Sequence, residues 1–116
     1  MMLTYVMAFV ADMDAAVVFY RDTLGLTLRF QSPDWSEFDT GSTTLALHSA
    51  SPGKSPGTLR LGFSVPDMQA FGEHLAARGL QFTQPPRTEH GVVLAEFADD
   101  AGVLHAVSAP QPGAAS

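Results

Sequence analysis

The chain has 116 residues, 46% of them hydrophobic, which is enough for one domain with a real apolar core. Twelve acidic residues against six Lys and Arg give a net charge of −6, so a phosphate backbone is repelled and nucleic acid is not an expected partner. The absence of cysteine excludes disulfides, thiolate metal sites and a cysteine nucleophile.

Residues 3–10 alternate weakly and carry Tyr5, Val6, Phe9 and Val10, the pattern of a strand. Asp12 follows as an N-cap, and Met13, Ala16, Phe19, Tyr20 and Leu24 recur at helical spacing until Gly25 stops the helix. Residues 27–31 read as a second strand, Ser32-Pro33-Asp34 as a turn and residues 35–39 as a third strand. Gly41-Ser42 turns the chain into a fourth, residues 43–49. Residues 51–57 (Ser-Pro-Gly-Lys-Ser-Pro-Gly) hold two proline turns and nothing to bury, so they read as a linker.

The order then starts again. Residues 58–65 form a strand, and Asp67 caps a helix that runs through Arg78 with Met68, Phe71 and Leu75 on its apolar face. Gly79 stops it. Residues 81–84 make a short strand that Pro85-Pro86 is expected to end. Residues 89–97 and 103–108 complete the set, joined by a turn at Asp99-Asp100-Ala101-Gly102. Residues 110–116 read as a loosely packed tail. No apolar run is long enough to span a bilayer, and the N-terminus has neither the basic region nor the cleavage site of a signal peptide, so a cytoplasmic location is expected.

The two halves echo one another in detail. Val10-Ala11-Asp12-Met13 is answered by Val65-Pro66-Asp67-Met68, Gly25-Leu26 by Gly79-Leu80, and Leu45-Ala46-Leu47-His48-Ser49-Ala50 by Leu104-His105-Ala106-Val107-Ser108-Ala109. Two copies make a paired-module fold, since a solenoid needs three or more units. The expected class is therefore α+β: two βαβββ modules forming a curved mixed sheet around a cavity. Module one covers residues 2–50, the linker 51–57, module two 58–109 and the tail 110–116. Each helix covers one sheet face, and the other face is left to line the cavity.

The string Phe19-Tyr20-Arg21-Asp22-Thr23-Leu24-Gly25-Leu26 resembles the first helix of the vicinal oxygen chelate superfamily, which contains glyoxalase I, bleomycin- and fosfomycin-resistance proteins and extradiol dioxygenases. The turn at Asp99-Asp100-Ala101-Gly102 is similar to the Asp-Pro-Asp-Gly turn before that family's last strand, with two of four positions changed. By module order the resemblance spans roughly residues 2–109. In metal-dependent members, the resemblance implies His or Glu ligands on the first and last strands of each module. Those positions fall here on Tyr5, Arg60 and Ala106, and on Ala46, or His48 if the register moves by one pair. A divalent ion wants several imidazole or carboxylate donors, and an Arg among them repels it. No metal and no other cofactor is therefore expected. At these positions the sequence resembles the metal-free bleomycin-resistance branch more closely.

Of four histidines, His74 reads as a helix-surface residue and His90 as a turn residue, while His105 is out of phase with Ala106. His48 shares a strand face with Thr44 and Ala46, as a ligand contact or a hydrogen-bonded wall residue. Arg60 is costly inside a cup unless paired, either with an anionic ligand group or with an internal acid such as Glu96 or Glu37. Tyr5, Met7 and Phe9 share one face of the first strand, and Trp35 stands next to a turn, together a wall suited to a flat ligand. Core packing is the expected role of Phe9 and Phe38. Glu37 and Glu96 hold equivalent places in the two halves. The candidate ligand-binding set is Tyr5, Met7, Trp35, His48, Arg60 and Glu96, with no catalytic residue assigned.

Two functions compete. One is a small-molecule-binding or sequestering protein without metal, acting as a homodimer as the resemblance implies. The other is a glyoxalase- or dioxygenase-like lyase, isomerase or oxidoreductase with an altered metal site. Neither a phosphate loop, a nucleophile elbow nor Ser-His-Asp spacing is present.

Overall fold

Asp12 and Asp67 start two helices in the same way. In the computed structural model, which describes residues 1–112, each aspartate has an extended backbone and its carboxylate accepts from the amide three residues on. Ala15 N donates to Asp12 Oδ1 at 3.0 Å and Ala70 N to Asp67 Oδ1 at 3.2 Å, opening α1 (Met13–Val18) and α2 (Met68–Ala76). Beyond Val18 the first helix widens into a π-helical turn, Phe19–Thr23, closed by Leu24 N donating to Phe19 O at 3.0 Å. The buried stripe is thus Met13, Ala16, Val17 and Tyr20, with Val17 only 1% exposed. Phe19 and Leu24, expected on that stripe, are 47% and 55% exposed. Phe19 lies off the i, i+3, i+4, i+7 face, and the extra residue in the widened turn carries Leu24 away from it. The second helix ends two residues before the expected Arg78, in tight turns that reach Gly79 at φ 76°.

Residues Thr4–Leu61 form one compact unit. Its strands are β1 (Met2–Val10, whose first two residues cluster elsewhere), β2 (Thr27–Gln31), β3 (Trp35–Asp39) and β4 (Thr44–Ser49), in the order β2-β3-β4-β1. β1 and β4 run parallel and the other pairs antiparallel. Alternation sends Ala8, Phe38 and Leu47 to one face, where they meet Val17 of α1 and the partly buried Val10, Met13, Tyr20, Leu28 and Leu45. Residues 51–57 hold one bridge, Ser51 to Lys54, and lead the chain back beside β1, where Gly57 N donates to Phe9 O and Phe9 N to Thr58 O.

The other unit comprises Met1–Leu3 and the described residues from Gly62 onward. It contains the second half of β5 (Leu59–Ser64), with β6 (Gln84–Glu89), β7 (Val92–Ala98) and β8 (Leu104–Pro110), in the order β5-β8-β7-β6. β5 and β8 are parallel, and β8-β7-β6 is an antiparallel meander. Val65, Met68, Val93, Ala95, Val107 and Ala109 make the core, with Phe63, Phe71, Phe82 and Phe97 packed against it. Gly72 lets α2 close on this cluster: a Cβ there would stand 3.0 Å from the Phe82 ring.

Three strands differ from expectation by more than one residue. The prolines do not end a strand but lie within β6, and residues 81–83 are not a strand. β6 pairs only with β7, every residue of it is exposed, and its register shifts between Gln84 and Arg87, so neither proline interrupts a central ladder. β7 begins at Val92 because His90 and Gly91 form the tip of a hairpin, with φ of 51° and 80°. β8 continues to Pro110, which pairs with Val92, so the expected tail loses its first residue to the sheet; residues 113–116 lie outside the described residues. The class is α+β, with eight strands in mixed pairing and two short α-helices among the described residues. Among the described residues no helix is long and apolar enough to cross a membrane.

Candidate functional site

The face of the first unit that α1 leaves uncovered is an ordered grid. Register places Phe9, His48 and Trp35 in one row across β1, β4 and β3, Met7, Ala46 and Glu37 in the next, and Tyr5, Thr44 and Asp39 in the third. Period-two alternation puts these nine side chains on one side, opposite Ala8, Leu47 and Phe38. Ala46, fully buried at the centre, is the smallest member. With nothing beyond Cβ there, Tyr5 and Trp35 meet diagonally across it, ring centroids 6.1 Å apart and planes at 66°.

The remaining contacts build a wall of rings set edge to face. Trp35 meets His48 at 5.7 Å and 87°, and His48 meets Phe9 at 5.4 Å and 65°. His48 Nδ1 lies 2.8 Å from its neighbour's carbonyl, Ser49 O. A carbonyl only accepts, so Nδ1 carries the proton and in the neutral ring the lone pair sits on Nε2. The Arg60 guanidinium lies over the Phe9 ring, 5.4 Å from its centroid, a cation–π contact that places positive charge beside the wall.

Glu37 is the polar hub of this face. Its Oε2 accepts from Trp35 Nε1 at 2.7 Å and its Oε1 from Arg29 Nη1 at 3.2 Å. Arg29 also donates to Thr44 Oγ1 at 3.2 Å and approaches Asp39 Oδ1 at 3.6 Å.

Five of the six candidate residues, Tyr5, Met7, Trp35, His48 and Arg60, are therefore brought together within this unit. Glu96 belongs to the other unit, on β7, where its Oε1 accepts from Thr83 Oγ1 at 2.7 Å. Phe9 is 4% exposed and still serves as the floor under Arg60. Reading the residues singly missed Arg29 and the Trp35–Glu37 pair. Trp35 and Glu37 stand two apart on one strand, so alternation alone places them side by side. No local signal points to Arg29, because its reach to Glu37 depends on the pairing of β2 with β3.

In the other unit His105 packs between Phe63 and Phe97 at 5.9 and 5.7 Å, among the residues next to α2. His74 and His90 are exposed.

The donor chemistry does not fit a divalent ion at the positions where the resemblance places ligands. Ala46 and Ala106 offer no donor atom, Arg60 is a cation, and Tyr5 stands where an imidazole or carboxylate would be needed. Among the described residues no three His, Asp or Glu side chains converge to hold an ion.

A family profile described as Glyoxalase/Bleomycin resistance protein/Dioxygenase superfamily matches residues 2–107. A search of curated proteins gave no match. Among solved structures, a hypothetical protein from Bacillus halodurans C-125 superposes with a TM-score of 0.79 at 17% identity, covering 99% of this chain and 98% of that one. A Streptomyces coelicolor methylmalonyl-CoA epimerase in complex with 2-nitronate-propionyl-CoA gives 0.73 at 18% identity, covering 94% of each chain. A glyoxalase/bleomycin resistance protein/dioxygenase superfamily member from Vibrio splendidus 12B01 gives 0.69 at 13% identity, with coverages of 90% and 96%. At these identities the structures share the fold alone. The profile covers nearly the whole chain, and on that basis the chain belongs to the Glyoxalase/Bleomycin resistance protein/Dioxygenase superfamily.

Proposed function

We propose that this chain binds a small, flat molecule carrying an anionic group, and holds it without metal chemistry. The observation that supports this reading is the juxtaposition, on one sheet face, of the ring wall Tyr5-Trp35-His48-Phe9 and the guanidinium of Arg60. Rings supply apolar area and stacking geometry, Met7 supplies an adaptable thioether, and Arg supplies a fork matched to a carboxylate. Such a mix of apolar walls and a few placed polar groups is what small-molecule sites are made of.

The test is a thermal-shift comparison of naphthoate, a flat carboxylate, with naphthamide, its neutral counterpart. Ligands that bind the native state raise the melting temperature by mass action. Naphthoate is expected to raise it more; no shift with either probe overturns the reading. Elemental analysis addresses the metal-dependent enzyme alternative: near-stoichiometric divalent metal that survives dialysis counts against metal-free binding. A homodimer is part of the same proposal, on the strength of the family resemblance, and sedimentation as a 12.3 kDa species alone at micromolar concentration removes it.

A further inference from the structure

The geometry points to Glu37 as a positioning residue: it fixes the indole of Trp35 in the ring wall, and is itself held by Arg29 through a bulge in β2. This rests on the binding reading above for its purpose, but the clamp stands on its own geometry. Both carboxylate oxygens are engaged, Oε2 by Trp35 Nε1 at 2.7 Å and Oε1 by Arg29 Nη1 at 3.2 Å. A carboxylate with both oxygens engaged is suited to orienting its neighbours rather than to taking a proton from a ligand.

The second observation is the backbone itself. β2 runs in register with β3 through Leu28 opposite Phe38, then slips, so that Phe30 stands opposite Glu37 and Arg29 is the extra residue. In a regular strand Arg29 would follow Leu28 onto the opposite side as the direct partner of Glu37. The bulge inserts it and Phe30 together against Glu37, re-aiming the guanidinium across the sheet to Glu37, Asp39 and Thr44 at once. Thr44 is on β4, so three neighbouring strands are tied through one guanidinium. The result is a rigid edge for the wall: an indole is free to turn about two side-chain torsions, and here its N–H is bonded while its ring is met edge-on by Tyr5 and His48.

Trp35 is the chain's one tryptophan, so its emission reports this clamp without interference. Acrylamide quenching and the emission maximum are to be recorded for the wild type, Glu37→Leu, Glu37→Gln and Arg29→Met, with naphthoate titrated into each by calorimetry. Glu37→Leu removes the indole's acceptor, and its emission is expected to move to longer wavelength with stronger quenching. Glu37→Gln keeps an amide oxygen for the indole and is expected to keep wild-type emission; Arg29→Met is expected to fall between the two. Naphthoate affinity is expected to fall by up to about tenfold in Glu37→Leu, the worth of one well-placed aromatic contact. Unchanged emission and quenching in Glu37→Leu overturn the clamp, as does a shift in Glu37→Gln as large as that in Glu37→Leu. If the wild type itself does not bind naphthoate, the binding reading fails while the fluorescence still decides the clamp.

Discussion

His105 Nε2 stands 3.5 Å from Asp99 Oδ2, tying the last strand to the turn that feeds it. Asp99 does more within that turn: its Oδ1 accepts from the amides of Ala101 and Val103, both at 2.9 Å. The Val103 amide above all holds the Asp99 carboxyl below its ordinary value; partial desolvation opposes this, and the Ala101 amide and His105 add to it.

A carboxyl whose value is lower in the folded chain stabilises the fold once ionised. Its contribution is whole above about pH 4, the ordinary aspartate range, and disappears as pH falls further through the folded value. Asp99→Asn keeps an oxygen for the two amides and loses the titration. The wild type is expected to be the more stable of the two at neutral pH, with the gap closing as the pH of urea unfolding is lowered below about 4. A gap that stays constant down to about pH 2.5 contradicts the assignment.

The tip of the β6–β7 hairpin makes a second prediction. His90 holds φ at 51°, a left-handed backbone that a side chain with a branched Cβ tolerates poorly, and Gly91 follows at 80°. Asn is the residue that two-residue turns of this kind favour in the first place. His90→Asn is expected to raise the unfolding free energy measured in urea, by no more than about 1 kcal/mol, and His90→Val to lower it by about 1–2 kcal/mol. Equal midpoints for the two variants mean that the tip relaxes to another turn.

Much of this architecture was legible in residue patterns, and the parts that were not have a common cause. The caps at Asp12 and Asp67, and the faces of Tyr5, Met7 and Phe9 and of Thr44, Ala46 and His48, follow from local chemistry and alternation. The prolines of β6 were misread because whether a strand is central or at an edge is a property of topology, absent from any local window. Arg29 lies beyond any local window for the same reason: its meeting with Glu37 is set by how β2 pairs with β3, which neither strand shows alone. The π-turn at Phe19–Thr23 likewise displaced Leu24 from a stripe drawn at regular helical spacing.

Ala46 provides a test of the grid. It is fully buried beneath the meeting of Tyr5 and Trp35, between Met7 and Glu37. Ala46→Leu adds three carbons where the neighbouring side chains already touch, and overpacking is expected to cost about 1–3 kcal/mol in urea unfolding. The rings have to part to admit it, so Trp35 emission is expected to change as well. A variant as stable as the wild type with unchanged emission shows that the space at the centre of the face is larger than the ring contacts indicate.

Arg60 decides between recognition and architecture. Its guanidinium sits on Phe9, and Arg60→Ala removes that cation–π contact whatever ligand is present, so some loss of melting temperature is expected without ligand. Ligand comparison separates this from recognition. If Arg60 pairs with the carboxylate of a bound molecule, Arg60→Ala weakens naphthoate by about 1.5–3 kcal/mol, the worth of a charged hydrogen bond, and leaves naphthamide nearly unchanged. Arg60→Lys keeps the charge but loses the planar fork, so its naphthoate affinity is expected to lie between wild type and Ala. Calorimetric titration of both probes into the three proteins measures the difference directly. Equal losses for the acid and the amide would make Arg60 a structural member of the ring wall, and the ligand's anionic group would then have to be dropped from the proposal.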